Sequence, residues 1–222
     1  MSKIKEEGSG RIFQSPVLEL LTRSTPLVSA GFYLAIIITL FTIGLQRELV
    51  SGWRVMAGIF VASLFAWTLF EYLFHRFAFH LDALFPESKI VARIDYALHG
   101  VHHEYPRDTS RLIMPPVPGA MIISVIFATF WLVMGEYVFV FLPGFLFGYL
   151  MYASVHYATH AWKPPKSPWL KALWRHHALH HYKHNDRAFG VSTPVWDYVF
   201  RTMPPERKKD QKPLEVEVEV EA

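Results

Sequence analysis

At 222 residues the chain has room for one domain and little more, and 52% of it is hydrophobic against 18% charged. That balance is too apolar for an ordinary soluble domain and points to a membrane. With no cysteine there is no disulfide framework, no thiolate-ligated zinc and no thiolate-held iron–sulfur cluster; the net charge of +3 is distributed as membrane topology would have it rather than as a nucleic-acid surface.

Residues 1–23 are polar and carry Lys3, Lys5, Arg11 and Arg23. Within them Phe13, Val17, Leu18, Leu20 and Leu21 suit either an amphipathic segment lying on the membrane or a helix packed on the domain. The pattern of a cleavable leader is missing, because the first long apolar run begins deep in the chain and no small-residue cleavage site follows it. Pro26 opens that run, Leu27 to Leu45, 19 residues without a charge and near the length that crosses hydrocarbon. After a short polar loop with Arg47, Glu48 and Arg54, a second run from Val55 to Phe70 extends through Glu71–Phe74. It predicts a helix that leaves the membrane near Glu71 and carries His75 and His80 just past the interface.

Residues 75–116 read as a first soluble insertion, with a turn over 81–88, a helix over Lys89–His103 and a polar loop over Arg107–Arg111. Pro115, Pro116 and Pro118 then stiffen the approach to the next run. That run, Val117 to Val155, has 39 residues, too many for one helix and about right for a hairpin of two broken near Gly135–Glu136. Gly144 and Gly148 have the spacing that lets membrane helices approach closely, and Pro143 is expected to kink or cap the second helix of the hairpin. Residues 161–203 form a second insertion, with a helix over Trp169–His184 ended by Gly190 and Pro194. The charged, Glu/Val-alternating residues 207–222 read as a disordered tail. The expected domains are thus 1–23, a membrane domain over 24–206, and that tail.

All twelve histidines fall between His75 and His184. They come as His75 and His80, His99-x-x-His102-His103, His156-x-x-x-His160, His177-x-x-His180-His181, with His176 and His184 beside the last group. Residues three and four apart share a helix face. Each His-x-x-His-His group should therefore point one way, and His156 should pair with His160. His75 and His80, five apart, need a helix end or distortion between them, or serve different metals. Four such clusters in one chain read as a polynuclear imidazole site for Fe, Zn, Cu or Ni. A pH-sensing cluster is the bland alternative, but it has no need of the repeated register.

Four spans would put both termini and both insertions on one side. Lys and Arg number four in 1–23, five in 75–116 and eleven in 156–222, against two in the loop after the first span. That bias puts the histidines in the cytoplasm. The fold class expected is an all-α integral membrane protein: four transmembrane helices under a cytoplasmic helical cap holding a His-rich dinuclear site. A zinc hydrolase would use three protein ligands and a water, whereas this chain offers enough imidazoles for two metals, which suits O2-dependent attack on a lipid C–H bond.

Residues 70–80, His99–His103, Arg111–Pro116, Gly148–Tyr152, His177–Lys183, Phe189–Val191 and Trp196–Asp197 resemble the fatty acid hydroxylase superfamily, specifically the fatty acid 2-hydroxylases of sphingolipid acyl chains. The resemblance covers roughly residues 12–204. It implies two metals, iron for activity with zinc possible in a purified form, on His75, His80, His99, His102, His103, His156, His160, His177, His180 and His181. His176 and His184 fall outside that ligand pattern and are candidates for a supporting shell; Tyr149 and Tyr152 are candidates for lining the substrate path. Glu71, Asp82, Asp95, Glu104 and Asp186 are candidate carboxylate partners for the ligands. Two departures stand out. There is no His-Pro-Gly-Gly haem motif of an attached cytochrome b5, which implies an external donor such as cytochrome b5 or ferredoxin with its reductase. Ala153 stands where many relatives have an acidic residue, which puts the support of His156 in question. The implied partners are a fatty acid or ceramide, O2 and the bilayer, in a bacterial inner membrane or the endoplasmic reticulum. The rivals are a sterol or carotenoid hydroxylase or desaturase with the same boxes, and a metal transporter or sensor. Transport is disfavoured by spans that hold no histidine and almost no charge.

Overall fold

The computed structural model describes residues 4–205, so the expected tail at 207–222 lies outside the described residues. Among the described residues there are helices and turns but no strand. Three long apolar stretches stand out: Pro26–Gln46, Trp53–Phe77 and Pro116–Ala161. The first is α2, capped by the Thr25 side chain, which accepts from the Val28 amide at 3.3 Å, with Pro26 at its first position where no donor is lost. The second is α3, which runs through His75 and ends at Phe77. The helix thus carries His75 in its last turn, as expected, but ends before His80. The third is broken where the hairpin was expected: α6 (Pro116–Met134), a tight turn over Gly135–Tyr137, and α7 (Val138–Ala161). Gly135 takes φ +58°, a backbone that L side chains rarely adopt, and the chain reverses there.

Aromatic contacts lace the two arms together: Phe130 lies 5.4 Å from Phe141 and 5.3 Å from Phe145, centroid to centroid. The central helix is α7, which packs on both α2 and α3. A core of Tyr33, Trp67, Ile123, Val138, Phe139, Leu142, Phe145 and Leu146 surrounds it. Close approach explains the small residues. Pro143 lies inside α7, in its second turn, and lacks the N–H that would bond the Phe139 carbonyl. Gly44 of α2 comes up against that same carbonyl, where a Cβ would stand at 2.9 Å. Gly144 and Gly148 face α3, and a Cβ on Gly148 would lie 2.6 Å from the Trp67 ring.

The helix ends sort into two sets. Arg47 after α2 pairs with Glu136 in the α6–α7 turn, at the end remote from the histidines. At the other end Tyr33 donates to the Met114 carbonyl at 3.2 Å, the Ser24 amide donates to Ser110, and α3 and α7 bring in His75, His156 and His160. On that end sits a cap of short helices: α1 (Pro16–Leu21), α4 (Lys89–Asp95), α5 (Val101–Glu104), α8 (Pro168–Tyr182) and α9 (Val195–Val199). The helix expected over 89–103 is interrupted by a π-helical turn at Tyr96–Gly100. The helix expected to reach His184 stops at Tyr182, before Gly190 and Pro194 come into play, and α9 has no counterpart in the sequence reading. In α1, Val17 and Leu20 are 68% and 71% exposed, so this helix presents its apolar side outward rather than packing it on the domain.

A side chain at Gly148 has nowhere to go. Gly148→Val should cost about 1–3 kcal/mol of stability by overpacking. Gly31→Val, where a Cβ meets nothing within 4 Å, should be near neutral by the same thermal-unfolding measurement in detergent.

Candidate metal centre

Ten histidines converge under the cap in two groups of five. His75, His80, His99, His103 and His180 form the first; His102, His156, His160, His177 and His181 form the second. Within each group one ring nitrogen per residue lies within 4.8 Å of all the others. Every His-x-x-His-His box is divided: residues i and i+4 enter one group and i+3 the other. Helical geometry explains it, since successive residues turn by about 100°, so i+4 lies near i while i+3 lies on its other side. The expectation that each box points one way holds only for the centre as a whole. His75 and His80 share a group because α3 ends between them.

Three ring orientations are set by backbone carbonyls. His75 Nδ1 donates to Phe189 O at 2.6 Å, His180 Nδ1 to Arg187 O at 2.7 Å, and His156 Nδ1 to Leu112 O at 3.1 Å. A carbonyl only accepts, so in each ring the neutral tautomer has its lone pair on Nε2. Those lone pairs meet other imidazoles: His75 Nε2 is 3.1 Å from His99 Nε2, His180 Nε2 3.1 Å from His80 Nε2, and His156 Nε2 2.9 Å from His102 Nε2. His160 and His177 approach at 2.8 Å through the same atoms. His103 Nε2 and both nitrogens of His181 are buried with no partner at all. Buried ring nitrogens converging in fives are what a cation bound by imidazoles requires, and the donor set suits Fe, Zn, Cu or Ni.

None of the five anticipated carboxylates partners a ligand histidine. Glu71 accepts from the Val191 and Ser192 amides at 2.8 Å each and from the Ser192 hydroxyl. Asp95 accepts from the Asp82 amide, Glu104 binds Lys5 and Tyr96, and Asp186 is exposed beside Arg187. Ala153 leaves no gap in the support of His156, because the Leu112 carbonyl does that work. His176 is buried and lies 3.0 Å from Asp197 Oδ2, outside both groups; His184 is half-buried and joins neither. Asp197, fully buried, also accepts from the Phe189 and Gly190 amides at 2.9 and 2.7 Å. Sequence reading missed these partners, since a carbonyl belongs to every residue; only the Phe-Gly-Val and Trp-Asp words marked the place.

Tyr149 and Tyr152 line two adjoining cavities. One, of about 340 Å³, is walled by His99, His102, His156 and Arg111 at its metal end and by Ile12 and Phe13 from the N-terminal segment. The other, of about 70 Å³, runs between Trp67, Phe70, Phe74 and Ile126 down to His75. Phe70, Phe74, Ile122 and Ile126 continue into an open apolar groove of about 410 Å³ between α3 and α6. The Tyr152 ring stacks on His156, with centroids 5.6 Å apart, and Tyr149 accepts from the Met114 amide.

An all-helical body with bilayer-length apolar helices, capped by a polyhistidine centre at the end of an apolar cavity, defines a class of membrane protein with a centre suited to metal. The fatty acid hydroxylase family model matches residues 60–202, which include all ten histidines, and the chain belongs to that family. It is 41% identical over 123 residues to the human fatty acid 2-hydroxylase, covering 54% of this chain and 33% of that protein. It is 34% identical over 205 residues to the ceramide very long chain fatty acid hydroxylase SCS7 of Saccharomyces cerevisiae, covering 88% of this chain and 50% of the other. The chain thus spans between a third and a half of the length of these curated relatives. A solved structure described as full-length Scs7p, with only its hydroxylase domain visible, superposes with a TM-score of 0.80 at 32% identity, covering 90% of this chain and 74% of that one.

Burial pushes the His180 imidazole down to about 3 and His80 to about 4. Burial, reinforced by neighbouring imidazoles, also holds His99, His102, His103, His177 and His181 well below the ordinary 6.5. The unfolded chain takes up protons near 6.5 while the folded one does not. Above that pH the protonation of these rings costs the metal-free fold nothing. Below it stability falls until the folded values are reached, near 4 for His80 and 3 for His180. The unfolding midpoint of chelator-treated protein should therefore drop progressively from pH 7 toward 4. A midpoint flat across that range would contradict neutral, buried imidazoles.

Proposed function

We propose that the protein is a four-span membrane monooxygenase that places a hydroxyl on carbon 2 of long acyl chains, free or amide-linked in ceramide, using two metals on the ten histidines. The observation that carries this is a two-part imidazole centre at the blind end of an apolar cavity that opens between two bilayer-length helices. The names of the relatives, fatty acid 2-hydroxylase and dihydroceramide fatty acyl 2-hydroxylase among them, support the same substrate and position. In this reading α2, α3, α6 and α7 each cross the bilayer, the cap and both termini face the cytoplasm, and 24–206 is the catalytic domain. The charge bias of the loops supports that orientation. An external donor supplies electrons from the cytoplasmic side. Iron is the native metal, because attack on an unactivated C–H bond needs a redox-active ion, and two such ions when bound supply the activation of O2.

The chain's own residues do the rest. The α3–α6 groove admits the acyl tail sideways from the bilayer, so no polar group of the lipid need cross hydrocarbon. Phe70, Phe74 and Ile126 straighten the tail, and Tyr149 and Tyr152 hold it against the histidines. The polar end of the acyl group occupies the wider cavity by Arg111. That directs the first carbons of the chain at the metal end, a positional advantage of the kind that restricts which C–H bond reacts. Apolar walls keep bulk water out. The carbonyl-bound Nδ1 protons hold His75, His156 and His180 with Nε2 presented.

Expression in a host given ceramide and a reductase system, followed by lipid hydrolysis and mass spectrometry, tests the proposal. Acyl chains heavier by one oxygen, with fragmentation placing it on carbon 2, are expected. Their yield should fall at least a hundredfold in His102→Ala and His180→Ala proteins that still insert in the membrane. Oxygen elsewhere on the chain, or an altered sterol or carotenoid instead, would overturn the assignment; undiminished product in both variants would overturn the ligands.

A further inference from the structure

The two histidine groups are framed very differently. One loop, residues 187–192, serves the first group twice: its Arg187 and Phe189 carbonyls take the Nδ1 protons of His180 and His75. That loop is itself pinned on three sides. Glu71, one turn before His75 on α3, takes the Val191 and Ser192 amides. Asp197 on α9 takes the Phe189 and Gly190 amides, and the Ala188 amide donates to Thr202 O at 2.9 Å. Ala188 holds a positive φ of 60°, a conformation that persists only when its surroundings impose it. Gly190 is packed so tightly that a Cβ would stand 2.1 Å from Thr193 O. In the second group only His156 has such a carbonyl. His102, His177 and His181 have Nδ1 atoms buried with no partner. In the first group the one buried orphan is His103 Nε2.

We infer that the two metal positions differ in stiffness and hold their ions unequally, the first tightly and the second loosely, and that Glu71 and Asp197 are positioning residues for the first. They act through the 187–192 loop, neither touching a ligand. Outer partners of this kind fix ring orientation and tautomer and change metal affinity about 10–100-fold when removed. The asymmetry gives the centre one ion that stays with the protein and one that exchanges. This rests on the ten histidines being the ligands.

The test is chelator competition on the purified, metal-loaded full chain in detergent, using zinc and a colorimetric chelator. Wild-type protein should release two equivalents per chain in two phases. Glu71→Gln should quicken the slow phase about tenfold or more and leave the fast phase unchanged. Asp197→Asn should quicken the slow phase as well, and because Asp197 also holds His176 on α8 it is the less selective of the two. Circular dichroism and elution volume confirm that each variant is folded. Release in a single phase from the wild type would overturn the inference, and so would Glu71→Gln leaving both phases alone or quickening both equally. Fewer than two equivalents in the wild type would instead strike at the ligand set itself, so the two failures are distinguishable.

Discussion

An imidazole lone pair held in a dry interior needs either a donor or a cation. Three of the ten here have their tautomer dictated by a backbone carbonyl, and each of those three presents a bare nitrogen to another ring at 2.9–3.1 Å. Burial forbids the easy remedy of protonation, because a charged imidazole loses its hydration. A cation shared among five nitrogens would satisfy their lone pairs together, and its binding energy would then be folding energy. The rest of the molecule serves to make that crowding possible. Two membrane-length helices deliver His75, His156 and His160 at one depth, and the cap brings seven more down onto them.

The close packing of α3 on α7 is what sets that depth. Gly144 and Gly148 let the helices approach through Ser63 and Trp67, and the same Trp67 walls the cavity that runs to His75. One contact therefore fixes both the register of the histidine centre and the shape of that cavity. The lateral groove between α3 and α6 exists because α6 touches α7 and α2 more than α3, leaving Phe70 and Phe74 facing an opening. An open apolar groove and a buried imidazole centre at its blind end are the combination that the proposed chemistry on a membrane-dissolved chain would need.

Much of this was legible in the sequence, for reasons that can be named. Apolar runs of bilayer length marked α2 and α3, and a run of twice that length with Gly135 at its middle marked the α6–α7 hairpin. Histidine is scarce enough that four clusters, three of them at helical spacing, pointed to convergence. Sequence spacing could not divide the ligands between two groups. That division depends on the 100° step within each box, and the first box also begins inside a π-helical turn at Tyr96–Gly100, which no local pattern announced. The supporting partners could be sought in the sequence only as carboxylates, because only side chains differ along it. The structure uses carbonyls, and spends Glu71 and Asp197 one layer further out, on the loop that presents them. Helix α9 was missed because five residues are too few to show a period.

The most direct test of the central claim is X-ray absorption combined with elemental analysis on purified protein loaded with metal. Two ions per chain, each in a first shell dominated by imidazole nitrogen with no bound carboxylate, is the predicted result. A single ion per chain, or a first shell containing protein carboxylate, would contradict the division of ten histidines into two metal positions.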